Sequence, residues 1–256
     1  MRLGTLWLVG CGNMAGAMLS RWLQTGLDPA SITVIRPSGT LVAPGVRVVT
    51  TVPDEPPPQT LLLGLKPQQL ADAVPELHSA SGGATLVSIL AGVRTETLRR
   101  HFPAAAAIVR AMPNLPVALG QGVVALTGDH DERVAALMQP LGLVDWFDEE
   151  RFNLVTALAG SGPAFAYRFV DALSTAAVRL GLPHGQAQAL ALATANGALA
   201  LATSGQVPVA ALADRVASKG GSTRAGLDVL DADERLVALL TDTLAAAARR
   251  NEELGG

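Results

Sequence analysis

The chain has 256 residues, a net charge of −3, 49% hydrophobic and 16% charged residues. That length suits one large or two modest domains with a real core. With no basic run, neither nucleic acid nor an anionic membrane is expected as a partner. The single cysteine, Cys11, excludes an intrachain disulfide and a cysteine-rich metal site; no metal is expected, and a reducing, cytoplasmic location fits. No run of about 20 uninterrupted apolar residues is present. The densest stretch, 187–202, is broken by Gln188, Thr194, Asn196 and Gly197 and reads as a buried helix. Aromatic residues are only 4% and alanine is abundant, which favours close helix–helix contact in an all-helical part or an oligomer interface.

Leu6–Val9 is an apolar run suited to a buried strand. It ends in Gly10-Cys11-Gly12-Asn13-Met14-Ala15-Gly16, followed by helix-forming residues. Strand, Gly-x-Gly-x-x-Ala and helix together form a dinucleotide fingerprint. Gly10 permits the tight turn and Gly12 the approach of a pyrophosphate. Ala15 or Gly16 permits close helix–strand packing, with the helix N-terminus facing the anion. A secretory signal beginning at Arg2 is the weaker reading, because Gly10, Gly12 and Asn13 interrupt the apolar region. Met14–Leu23 is the first helix, and Ile32–Ile35 the second strand. At its end an NAD site places an acidic residue for the ribose 2′-hydroxyl. Here Arg36-Pro37-Ser38 offers a cation and a hydroxyl, which suit a 2′-phosphate and favour NADP.

Val46–Val49 reads as a third strand, and proline-rich Thr51–Gln59 as a loop. Leu61–Leu65 is a continuous apolar strand of the kind buried in a parallel sheet. Lys66-Pro67-Gln68 follows at the carboxyl end, where such sheets bind ligands. Gln68–Leu77 is a helix, Thr85–Leu90 a strand, Thr95–His101 a short helix and Ala106–Val109 a strand. Arg110–Pro116 reads as a stiff loop holding Asn114, because proline fixes its own φ and extends the residue before it. Gly122–Leu126 and Leu143–Phe147 are late strands flanking the helix Asp131–Gln139. This alternation predicts a doubly wound α/β domain over residues 1–150.

From residue 151 to 256 strand signals vanish. Phe152–Ala159 is interrupted by Gly160-Ser161-Gly162-Pro163, and Pro163 is suited to start a helix. Helices are expected at Ala164–Leu180, from Pro183 to about Ser204, at Pro208–Val216, Thr223–Leu230 and Glu234–Leu254. This alanine-rich helical part is expected to form a dimer interface. Ser218-Lys219-Gly220-Gly221-Ser222-Thr223 before a helix would read as an N-capped turn on spacing alone.

Six motifs in order resemble the pyrroline-5-carboxylate reductases. They are Gly10–Ala15, Leu65–Gln68, Ser88–Gly92, Arg110–Asn114, Thr156–Ala164 and Ser218–Thr223. The likeness spans essentially the whole chain. It implies NAD(P)H-dependent reduction of the C=N bond of L-Δ1-pyrroline-5-carboxylate to L-proline, the last step of proline biosynthesis; Arg36 and Ser38 make NADPH the expected donor, with NADH the alternative. It also implies an N-terminal Rossmann domain and a C-terminal helical domain forming an interlocked homodimer, with a decamer of five dimers in some members. By position, Gly12, Asn13 and Met14 lie along the pyrophosphate, Arg36 and Ser38 read the 2′-phosphate, and Lys66, Pro67 and Asn114 flank the ribose and nicotinamide. Ser218, Gly220, Gly221, Ser222 and Thr223 form the substrate loop, and the Thr223 hydroxyl approaches the imine nitrogen. That loop suits a carboxylate without an arginine, since helix N-terminal N–H groups and serine hydroxyls bind anions. His78, His101, His130 and His184 fall outside the motifs, so no general-acid histidine is expected. Lys219 and Ser222 depart from the usual pattern. Two other readings are a reductase of a different cyclic imino acid and a catalytically silent NADP-binding protein.

Overall fold

The computed structural model describes residues 4–255; Arg2 lies outside them. By packing, one unit runs to Pro163 and includes the stretch from Ala245, and the other is Ala164–Leu244.

The first unit is built on an eight-stranded sheet: β1 (Leu6–Val9), β2 (Ile32–Ile35), β3 (Arg47–Val49), β4 (Thr60–Leu63), β5 (Thr85–Ser88), β6 (Ala107–Pro113), β7 (Gly122–Gly128) and β8 (Gly142–Trp146). Its order is β3-β2-β1-β4-β5-β6-β7-β8. All neighbours are parallel except β6 and β7, which are antiparallel. The chain reverses its direction of winding between β1 and β4, and such a switch point opens a crevice at the carboxyl ends of the strands.

Alternate residues of the short strands enter opposite cores. Leu6, Leu8, Val34 and Leu62 pack with α1 (Asn13–Gln24) and α4 (Glu132–Met138) through Met18, Leu19, Trp22 and Leu137. Trp7, Val9, Leu61 and Leu63 pack on the other face with α2 (Leu70–Ser81) and α3 (Thr95–His101) through Leu77, Leu98 and Phe102. The Trp22 indole N–H donates to the Leu137 carbonyl at 2.7 Å, tying α1 to α4.

The loop expected at Arg110–Pro116 begins later than its prolines suggest. Arg110 to Pro113 continue β6, paired with Thr127 to Val124 of β7. Proline's φ is compatible with an extended strand, and Pro113 stands at the strand's last position, where its missing N–H costs little. Arg110 is buried there. Its guanidinium donates to Glu149 at 2.5 Å and lies 4.6 Å from the centre of the Phe152 ring. Glu149 also accepts from the Thr95 hydroxyl at 3.2 Å. Burial lowers the Arg110 pKa, and Glu149 opposes that shift. The knot fixes the start of α5 (Phe152–Val155), which continues as a π-helical turn over Thr156–Gly160.

The second unit holds most of α6 (Gly162–Arg179), then α7 (His184–Ser204), α8 (Val209–Val216), α9 (Ser222–Leu230) and the first part of α10 (Arg235–Gly255). This unit leaves many large apolar side chains exposed, among them Leu180, Leu192, Leu199, Leu201 and Val237, far more than a solitary unit normally shows to water.

Asp131 caps α4 through the Arg133 N–H, accepts from the Thr85 hydroxyl at 2.9 Å and pairs with the Arg133 guanidinium at 2.8 Å. The Arg133 hydrogen bond chiefly holds its pKa at about 2, below the ordinary 3.8. The folded pKa is depressed, so this carboxylate stabilises the fold fully above about pH 4 and the contribution fades as pH falls through 2. Asp131→Asn is expected to lose about 2 kcal/mol at pH 7, measured by urea unfolding, with the gap from wild type closing towards pH 2. A gap independent of pH contradicts this assignment.

Candidate functional site

The switch point is a three-way close packing. The Gly10 N–H donates to the Ile35 carbonyl and the Gly64 N–H to the Val9 carbonyl, both at 2.8 Å. Gly10 has φ +81°, and a Cβ there would stand 3.0 Å from the Gly64 oxygen. A Cβ on Gly64 would stand 3.0 Å from the Ala15 methyl and 3.1 Å from the Gly10 oxygen. Small residues at all three positions let α1 begin directly beneath the sheet edge. Gly12 caps that helix in extended conformation with no side chain satisfying its first N–H groups. A Cβ on Gly12 would meet nothing within 4 Å. The positive helix end therefore opens on free space, as a pyrophosphate requires.

That space is a cavity of about 550 Å³ at the carboxyl ends of β1, β2 and β4, lined by Gly10, Gly12, Arg36, Ser38 and Lys66. Asn13 and Met14 form the first turn of α1, and Pro67 opens the 3₁₀ turn after Lys66. The Arg36 N–H donates to the Val49 carbonyl at 2.9 Å, which anchors the end of β2. Its guanidinium forms no ion pair among the described residues. The Ser38 Oγ accepts the Thr40 N–H at 3.3 Å, leaving its own proton to donate. Burial pushes the Cys11 thiol up, and the nearby Arg36 charge pulls it partly back. The thiol is therefore neutral, and the Arg36 charge remains for an anionic ligand. The sequence reading missed Gly64, Thr50, Gln69, Asp72 and Glu76, which complete the wall. For Gly64 a signal existed, since a glycine inside an apolar strand run marks close backbone approach.

Asn114 is placed differently from the cavity residues. It follows β6 and is buried. Its Oδ1 accepts the Val123 N–H at 2.9 Å, and its Nδ2 donates to the Ala159 carbonyl at 2.9 Å.

Ser218, Gly220, Gly221, Ser222 and Thr223 lie in the second unit, between α8 and α9. Gly220 has φ +74°, and the Gly221 N–H donates to the Ser218 carbonyl at 3.0 Å. A Cβ on Gly221 would stand 2.5 Å from the Ser218 Oγ and 3.1 Å from the Ser218 carbonyl oxygen, so a side chain there would force the serine hydroxyl to move. Gly221 caps α9 without a side-chain bond, leaving the first-turn N–H groups, with the Ser222 and Thr223 hydroxyls, to meet an anion. Arg224 bridges back to Asp214 of α8 at 2.7 Å across the loop.

Residues 149–254 match a family model described as pyrroline-5-carboxylate reductase dimerisation, and residues 5–92 match one described as NADP oxidoreductase, coenzyme F420-dependent. A Synechocystis pyrroline-5-carboxylate reductase is 34% identical over 98% of both chains. The chain belongs to the pyrroline-5-carboxylate reductase family. Among solved structures, a family member from Coxiella burnetii superposes with a TM-score of 0.91, at 29% identity over 99% of both chains. A Plasmodium falciparum pyrroline carboxylate reductase with NADP bound gives a TM-score of 0.84 at 21% identity over the whole of both chains, a likeness of fold. The Gly10, Gly64 and Ala15 packing thus sits at the nucleotide turn of a family that shares this architecture.

Gly64→Ala is expected to destabilise the first unit by about 1–3 kcal/mol, as overpacking does, and to weaken dinucleotide binding. Thermal unfolding and a nucleotide titration on the same sample check it. Unchanged values for both contradict the close-packing account.

Proposed function

We propose that this chain reduces the C=N bond of L-Δ1-pyrroline-5-carboxylate to L-proline, the last step of proline biosynthesis, using NADPH in preference to NADH. The observation that carries this is the 34% identity to a reductase of that name over 98% of both chains. The cavity residues fit the cofactor. Gly10, Gly12, Asn13 and Met14 present the uncapped helix end to its pyrophosphate, Arg36 and Ser38 take the 2′-phosphate, and Lys66 and Pro67 border the ribose. Bound NADPH supplies the hydride. The rest of the chemistry is binding and positioning, worth several kcal/mol of barrier.

In the helical part, the α9 N-terminus with Ser218, Gly220, Gly221 and Ser222 holds the substrate carboxylate. Thr223 brings its hydroxyl to the imine nitrogen, donating to the neutral imine or accepting from the N–H of the protonated iminium. A threonine hydroxyl is a weak acid, so the substrate binds as its protonated iminium or Thr223 relays a proton from water. Functionally the chain divides into a cofactor domain, 1–150, and a dimerisation and substrate domain, 151–256. The exposed apolar faces of the second unit support a homodimer, with a decamer of five dimers as its higher form. No helix among the described residues is long and apolar enough to cross a membrane, and we place the enzyme in the cytoplasm.

Initial rates of NADPH consumption with pyrroline-5-carboxylate test this directly. Thr223→Ala is expected to lose at least about tenfold in kcat while keeping NADPH affinity; full turnover in that variant rules out the Thr223 assignment. Arg36→Ala is expected to weaken NADPH about 10–100-fold, the worth of a charge-assisted bond, and to leave NADH unchanged. Equal loss for both nucleotides contradicts the 2′-phosphate assignment.

A further inference from the structure

Resting on the reductase reading above, the geometry points to Asn114 as a positioning residue that clamps the π-turned segment Thr156–Gly160 to the end of β6, and not as a group that binds the cofactor. Both halves of its carboxamide are engaged with protein. Oδ1 holds the Val123 N–H at the start of β7, and Nδ2 holds the Ala159 carbonyl, each at 2.9 Å. The Asn114 N–H donates to the Val123 carbonyl at 3.2 Å, so the residue is pinned along its whole length. The segment it grips is not a standard helix. The Ser161 N–H reaches back five residues to the Thr156 carbonyl at 3.2 Å, and the Thr156 hydroxyl donates to the Phe152 carbonyl at 2.7 Å. Such π turns occur often at functional sites. The residue four on from Ala159 is Pro163, which has no N–H to give the Ala159 carbonyl, and the Asn114 amide donates to that carbonyl instead.

The position of this clamp follows from the sheet. β6 runs parallel to β5, β4 and β1, so its carboxyl end lies on the same edge as Gly10. If bound NADPH set its 2′-phosphate at Arg36 on the β2 side of the turn, its nicotinamide half would lie towards β4, β5 and β6. Three strand spacings of about 4.8 Å separate β1 from β6, well within a dinucleotide's reach. At that end Met112, Ala125 and Phe152 form a small apolar cluster with Ala91 and Val155. The Met112 sulfur would stand 3.8 Å from a Cβ on Gly160. Hydride transfer is sensitive to sub-ångström placement, and this floor keeps its shape only while Ala159 and Gly160 stay against β6. The buried Arg110–Glu149 pair fixes the other end of the same segment, at Phe152.

Asn114→Asp keeps the acceptor for Val123 but replaces the donor to Ala159 with an oxygen that repels that carbonyl. In the full-length oligomeric enzyme it is expected to leave the NADPH Kd, read by nicotinamide fluorescence, within about twofold. It is expected to lower kcat about tenfold or more, to increase the isotope effect with NADPH deuterated at C4, and to speed amide hydrogen exchange across 156–161. Thr156→Val loosens the same turn without touching Asn114 and is expected to give the same signature; it is the variant to read if Asn114→Asp does not fold. A Kd that rises in step with the loss of kcat/KM makes Asn114 a cofactor ligand and overturns the clamp, as does unchanged exchange over 156–161. Wild-type enzyme inert towards pyrroline-5-carboxylate defeats the reductase reading instead, and the exchange and Kd comparisons still decide the clamp.

Discussion

Everything at the cofactor site depends on how closely β1, β4 and α1 approach one another. A Cβ on Gly10 or Gly64 would stand 3.0 Å from its nearest neighbour, and Ala15 is buried against Gly64. The close approach puts the uncapped end of α1 at the mouth of the crevice between β1 and β4. The helix end contributes partial positive charge without a side chain, and Arg36 and Lys66 add the cationic side chains of this cavity, with Asp72 and Glu76 in its wall. The strands beneath are buried on both faces, and their alternating side chains feed two separate cores. The turn is thus held by two buried cores on either side of the sheet and by the Gly10 and Gly64 N–H bonds to the Ile35 and Val9 carbonyls.

The second unit solves a related problem in a different way. The Ser218–Thr223 loop also offers an anion N–H groups at a helix start, here with hydroxyls and no buried cation. Gly220 and Gly221 permit the turn, and the Arg224–Asp214 bridge closes it. An exposed ion pair of this kind is worth at most about 1 kcal/mol, so the loop's shape rests mainly on its glycines. Both sites follow one rule of recognition, in which backbone donors bind the charge and side chains refine the choice of ligand.

Much of this was legible from the sequence because the signals are local. Apolar runs marked β1, β2 and β4, and the Gly10–Ala15 spacing after the first of them marked the nucleotide turn. Arg36 at a strand end pointed to a phosphate. What escaped depends on partners distant in the chain. The extension of β6 through Pro113 exists because β7 pairs with it antiparallel, and no local pattern in Arg110–Pro116 announces that pairing. Gly64 looked like an incidental member of an apolar run until Ala15 was seen against it. Asn114 stood out by its motif, yet its two hydrogen bonds reach Val123 and Ala159, nine and forty-five residues away. The π turn they hold has no sequence signature of its own. The Ser218–Thr223 loop lay at the opposite extreme: its glycines marked a turn before a helix, the hydroxyl cap its serines suggest is not made, since Gly221 caps α9 without a side-chain bond, and only the likeness to a family suggested a ligand for it.

The central claim is that this fold couples oxidation of a bound nicotinamide cofactor to reduction of a cyclic imino acid. The most direct measurement is the product balance of the purified enzyme given racemic pyrroline-5-carboxylate and NADPH, with proline resolved by chiral chromatography. The account predicts one L-proline formed for each NADPH oxidised and no D-proline. NADPH that binds tightly but is never consumed, or is consumed without yielding proline, would contradict it.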